Sequence, residues 1–135
     1  MPAASVWLIR TALAYLVAGF GLGTALLAAK GNLPLRGLRL VLPLHIEAVL
    51  IGAMLQFTMG TAFWLLPRFR EGPPRGDERP VWAAYLLLNA GIWLAAGGRA
   101  VGADGIALSG RAGELLAALC FAWNVWPRVK GFGTS

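Results

Sequence analysis

One histidine, His45, occurs among the 135 residues, and it heads an apolar run that continues to Pro67. Its imidazole is the strongest candidate in the chain for ligating a haem iron or another transition metal, because a neutral ring nitrogen donates well to either. On a helix, the face below His45 carries Val49, Gly52, Gln56, Met59 and Phe63. That face is small near the imidazole and aromatic further along. A porphyrin held by His45 would lie edge-on along the helix and need a small neighbour, which Gly52 supplies. Gln56 shares the face, and Met59 and Met54 are the thioether candidates for a second axial position. Arg36 and Arg39 stand just before the helix, where haem propionates would emerge. The partial positive charge of a helix N-terminus favours the same carboxylates.

Residue types alone leave other readings open. A lone histidine at a membrane interface also serves as a hydrogen-bonded interfacial polar group. Glu47 lies two residues on and points to a different face, so His45 and Glu47 make a poor metal site within one chain. Several copies of His45 could still assemble one across an oligomer. Cys120 sits in an apolar run without the partners of a zinc site, and reads as a small buried hydrophobe.

The elements that must position His45 follow from composition. Hydrophobic residues make up 58% of the chain and charged residues 13%, and the mean hydropathy is +0.66. That balance points to the bilayer as solvent. The net charge of +6 lacks aromatic-basic interleaving, so it reads as membrane topology and excludes nucleic acid as a partner. The expected fold is an all-α integral membrane protein, a single domain over residues 1–135, with four transmembrane helices in an antiparallel bundle. The helices are expected at about 6–29, 43–66, 81–97 and 106–126.

Each boundary has a physical reason. The apolar run 11–29 exceeds the ~7–15 residues of a signal-peptide core, so the first helix is expected to be retained. Its Gly19, Gly21 and Gly23 would let another helix approach closely. Residues 33–41, bracketed by Pro34 and Pro43 and carrying Arg36 and Arg39, suit a short interfacial segment. Pro43 suits the first position of the second helix, where its missing N–H costs nothing. Residues 69–79 read as an exposed loop, and 98–105 as a glycine-rich turn. The last helix must start near Ile106 to span, so it contains Arg111 and Glu114, which share a face three residues apart and can pair.

Orientation follows from the basic residues. Arg10, Arg68, Arg70, Arg75, Arg79, Arg128 and Lys130 fall on one side, against Lys30, Arg36, Arg39, Arg99 and the marginal Arg111 on the other. The bias places both termini inside and His45 at the outer end of its helix. The six tryptophans, Trp7, Trp64, Trp82, Trp93, Trp123 and Trp126, fall mostly near helix ends and suit an interfacial belt.

Leu38-Arg39, Leu42-Pro43-Leu44-His45, Gly52, Gly60-Thr61-Ala62-Phe63-Trp64 and Leu66-Pro67-Arg68 together resemble helix 2 of the haem-copper oxidase catalytic subunit. The likeness is nearest to the nitric oxide reductase and related oxygen reductase branches. The resemblance implies that His45 ligates haem b and that Gly52 gives the ring room. It covers the second helix only; the other three helices match as generic apolar helices. The family's catalytic subunit has three arcs of four helices, of which this chain would be one. The family's other haem and copper histidines have no counterpart here, so a complete terminal oxidase or nitric oxide reductase is not expected of this chain alone. The resemblance therefore implies a small b-type cytochrome, metal-binding through the haem iron, for electron transfer or diatomic gas binding. It would be homo-oligomeric, as a trimer by preference or a dimer sharing haem between two His45 residues, and would meet a redox partner protein. The expected location is a bacterial or archaeal inner membrane. The competing expectation is a non-catalytic helical membrane accessory or assembly protein.

Overall fold

The computed structural model describes residues 1–30, 35–69 and 75–129; at positions 35, 36, 38, 39 and 40 only the backbone is described. The elements are α1 (Ala3–Ala28), α2 (Leu35–Ile46), a π-helical stretch (Glu47–Leu55), α3 (Gln56–Leu65), α4 (Arg79–Val101) and α5 (Asp104–Val125), closed by a 3-10 turn (Trp126–Arg128). Among the described residues all regular structure is helical. Four helical stretches are long and apolar enough to cross a membrane: Ala3–Ala28, Val41–Leu65, Arg79–Val101 and Asp104–Arg128.

The second span departs from the sequence expectation at its start. Pro43 does not open the helix but lies inside α2, and α2 runs without a break into the π-helical stretch and α3. The stretch 35–41 is therefore helical and continuous with the second span, whose membrane-long apolar part runs Val41–Leu65. An interior proline removes one hydrogen bond to the preceding turn. Here the ladder changes to the wider π register one turn later, at Glu47. The preference of proline for a first helical position did not decide the boundary, because the helix had already formed upstream.

The turn between α4 and α5 is shorter than its glycines suggest. α4 continues through Gly98 to Val101, and only Gly102 and Ala103 connect it to α5. Gly102 adopts φ 73°, and the N–H of Ala103 donates to the carbonyl of Gly98 at 2.8 Å, which closes the helix. Gly98 is needed inside the helix for a different reason: a Cβ there would collide with the backbone of Ala107. At Gly91 a Cβ would lie 2.8 Å from the carbonyl oxygen of Gly110. The α4–α5 hairpin thus packs backbone against backbone, the mode that small residues permit between apolar helices.

α1 packs along the second span in the same way but against side chains. Gly19 faces Val49, and Gly60 faces Leu8 and Ile9. The hydroxyls of Thr11 and Tyr85, 3.0 Å apart, tie α1 to α4. Leu8, Met59, Phe63, Leu88, Ile92 and Phe121 form the centre of the core. Val17, Phe20, Leu27, Leu108 and Trp123 all stand on the outside. An exterior this apolar is the reverse of what water requires.

Candidate functional site

His45 ends α2 half-buried against α1. Its Nδ1 lies 2.8 Å from the carbonyl oxygen of Gly19. A carbonyl can only accept, so Nδ1 carries a proton and donates; in the neutral ring the unprotonated nitrogen is then Nε2. The ring lies on Gly23, where a Cβ would come within 2.8 Å of Cε1 and 3.3 Å of Nδ1. Two of the glycines expected to allow close helix approach therefore serve the imidazole directly, one by its carbonyl and one by its missing side chain. A histidine whose Nδ1–H is fixed by a backbone carbonyl presents Nε2 in the tautomer that ligates metals.

The rest of the expected cradle does not fit a porphyrin. The notch beside Gly52 is filled by Tyr15 of α1: a Cβ at Gly52 would lie 2.5 Å from Cγ of that ring. Gln56 is fully buried, and its amide donates to the carbonyl of Leu8 at 3.4 Å, while its Oε1 has no partner among the described residues. Met59 is buried in the core with Leu8 and Phe63, whereas Met54 is 60% exposed on the outside. The face below His45 is covered by α1, and a macrocycle could lie there only by displacing Tyr15. The imidazole fits a haem iron; Gly52, Gln56 and Met59, as arranged, do not complete its pocket. The side chains of Arg36 and Arg39 lie outside the described residues. Among the described residues there is no group of three or more histidine, cysteine, aspartate or glutamate side chains that could hold a metal ion.

A charged cluster next to His45 was not foreseen in full. Glu47 opens the π-helical stretch and is 0% exposed. Arg111 of α5 grips it with both terminal nitrogens, Nη2 on Oε1 and Nη1 on Oε2, the latter at 3.2 Å. The same Nη1 donates to Oε2 of Glu114 at 2.7 Å, and Arg99 of α4 comes within 3.6 Å of Glu47. Two carboxylates thus face two guanidinium groups among the described residues. The pairing of Arg111 with Glu114 was legible from their three-residue spacing. The central role of Glu47 was not, since its partners come from other helices. A signal was present: Glu47 is the sole acidic residue in the first 70 positions, and a carboxylate inside an apolar helix needs a cation brought to it.

At the other end of the second span stands Arg128, 1% exposed. Its Nε donates to the carbonyl of Pro67 at 3.0 Å, and its Nη2 to the carbonyls of Phe63 and Leu66 at 2.9 and 2.8 Å. The guanidinium sits 5.0 Å above the Phe63 ring. Phe63 lies in the last turn of α3, where carbonyls lack a partner within their own helix, and Leu66 and Pro67 follow its end. Comparison with protein-family models, with curated proteins and with solved structures finds no match for the chain.

Proposed function

We propose that the chain is an integral membrane protein, four transmembrane helices in an antiparallel bundle, that binds haem b through Nε2 of His45 for electron transfer or diatomic gas binding. The observation carrying this reading is the 2.8 Å bond from Nδ1 to the Gly19 carbonyl, which in the neutral ring makes Nε2 the nitrogen able to ligate a metal. Membrane insertion is supported by the four long apolar helices and their apolar exterior. The excess of Lys and Arg beside the termini and the 69–79 loop supports termini inside, in a bacterial or archaeal cytoplasmic membrane, with His45 outward.

Bound haem would supply one-electron exchange and, with an open sixth position, a site for a small gas. The chain's own residues hold and aim the ligand. Gly19 fixes the tautomer, Gly23 gives the ring its bed, and the Glu47 cluster clamps the adjoining turn to α4 and α5. Because α1 covers Gly52, the remaining walls of the pocket come from further copies of the chain, three by preference or two. With one histidine per chain, the reading is a haem carrier and not a complete terminal oxidase.

Absorption spectra of protein purified from haem-replete cells test this reading. Wild type is expected to show a Soret band, oxidised and reduced, which His45→Ala abolishes without loss of helical circular dichroism. A folded, colourless wild-type protein would overturn the proposal.

The Tyr15-filled notch favours one second reading, a non-catalytic helical membrane accessory or assembly protein in which His45 only fastens α1 to α2. Under that reading His45→Ala changes stability alone. Elemental analysis separates a divalent metal shared by several His45 side chains from haem iron.

A further inference from the structure

The second span and α5 close on matching sequences, Ala62-Phe63-Trp64-Leu65-Leu66-Pro67-Arg68 and Ala122-Trp123-Asn124-Val125-Trp126-Pro127-Arg128. Their backbones end in the same register: the N–H of Leu66 donates to the Ala62 carbonyl, and that of Trp126 to the Ala122 carbonyl. One residue on, the ladder fails in both. Pro67 and Pro127 have no N–H for the carbonyls of Phe63 and Trp123, four residues back. In a bilayer such a carbonyl has little water to turn to and needs a donor from elsewhere.

At the second span that donor is Arg128, whose Nη2 gives to the carbonyls of Phe63 and Leu66 at 2.9 and 2.8 Å. Val125, three residues before it, is buried in the same core cluster as Phe63. The α5 end turns its matching acceptor outwards. Trp123 is 85% exposed, and with Leu119, Ala122, Trp126 and Pro127 it lines an open apolar groove of about 500 Å³. The counterparts of Arg128 and Val125 are Arg68 and Leu65, and both are exposed. Arg128 joins the two helix ends, so Arg68 and the groove lie at the same end of the bundle. Within one chain Arg68 cannot serve the groove, because α5 turns Phe121 and Val125 to the core and the groove lies on its other side. The ends differ in one respect: α3 unwinds at Leu66, whereas α5 tightens into a 3-10 turn whose Trp126 carbonyl already accepts from Val129 at 3.1 Å. Trp123 is therefore the acceptor the two ends share with Phe63.

We propose that the groove on α5 receives the end of the second span of another copy of this chain. Arg68 of the second copy donates to the Trp123 carbonyl, and its Leu65 lies between Trp123 and Trp126 as Val125 lies against Phe63. A planar guanidinium with several fixed donors and a permanent charge suits a helix C-terminus. Each copy gives one Arg68 and receives another. The interface is independent of the haem reading and stands or falls without it.

The test uses full-length protein in a maltoside detergent, with mass read by native mass spectrometry and helicity by circular dichroism. Wild type is expected to be oligomeric. Arg68→Gln, at an exposed position beyond the helix, is expected to weaken association roughly tenfold at unchanged helicity. Differently tagged copies in a Cys120→Ser background locate the contact. Leu65→Cys on one copy and Leu119→Cys on the other are expected to form a disulfide under copper phenanthroline. Leu65→Cys with Leu108→Cys, at the far end of the same face of α5, is not. A monomeric wild type, with or without lipid in the groove, would overturn the proposal. So would an oligomer that is indifferent to Arg68→Gln or that fails to join Leu65→Cys to Leu119→Cys.

Discussion

The two ends of the second span each bury a charged side chain, and they stabilise it by opposite means. At the His45 end, Glu47 is enclosed by Arg111 and Arg99, with Glu114 balancing the second cation. At the far end, Arg128 is enclosed by carbonyls and an aromatic face and meets no carboxylate among the described residues. The first arrangement sets two carboxylates against two guanidinium groups, with Oε1 of Glu114 buried and without a partner among the described residues. The second holds its cation by carbonyl dipoles and the face of Phe63. A buried ion can be held by its opposite or by dipoles, and the two ends of this span show both.

Mutations sharpen that contrast, and the largest effect should come from the ion cluster. Arg111→Gln strands Glu47 in an apolar interior, where breaking a buried pair costs ~3–5 kcal/mol. Arg111 is itself 34% exposed, so the lower part of that range is expected in thermal unfolding of the detergent-solubilised protein. Adding Glu47→Gln should restore part of the loss, because the uncompensated charge is then gone. Arg128→Gln removes a cation held by dipoles and strands no opposite charge; its expected cost is smaller, about 1–3 kcal/mol. A larger loss at Arg128 than at Arg111 would break the comparison.

The glycine contacts provide a second comparison, between the backbone-packed hairpin and the side-chain-packed α1 seam. Gly110→Ala pushes a Cβ into the backbone of Ala95 and the carbonyl of Gly91, neither of which can turn aside. Gly52→Ala meets only the ring of Tyr15, and overpacking of that kind typically costs ~1–3 kcal/mol. Gly110→Ala should therefore be the more damaging, and Tyr15→Ala should rescue Gly52→Ala while nothing nearby rescues Gly110→Ala. Gly21→Ala, with open space around it, should leave the unfolding temperature unchanged. The smallest of the disruptive effects should be His45→Ala, which loses one half-buried hydrogen bond worth about 1 kcal/mol.

Helix identity was legible because each span is a long apolar run, and the last helix had to include Arg111 and Glu114 to be long enough. Local spacing likewise revealed their pairing. What remained hidden depends on which helix lies alongside. Gly52 reads in sequence as a slot for any flat group, and a porphyrin and a tyrosine ring make the same demand of it; only the position of Tyr15 across the seam distinguishes them. Glu47 shows in sequence that a cation must approach, without showing which. Pro43 misled because local preference names the cheapest site for a proline, whereas the helix was already running when it arrived. The tautomer of His45 depends on the carbonyl of Gly19, 26 positions away, and no local pattern encodes it.

In the proposed function, Nε2 of His45 is the atom that takes a haem. The direct measurement is the absorption spectrum of purified wild type and His45→Ala, oxidised and reduced, with and without carbon monoxide. A Soret band in wild type that is absent from an equally helical His45→Ala protein is the predicted result. A folded wild type without haem, or a variant that retains the same spectrum, would contradict it.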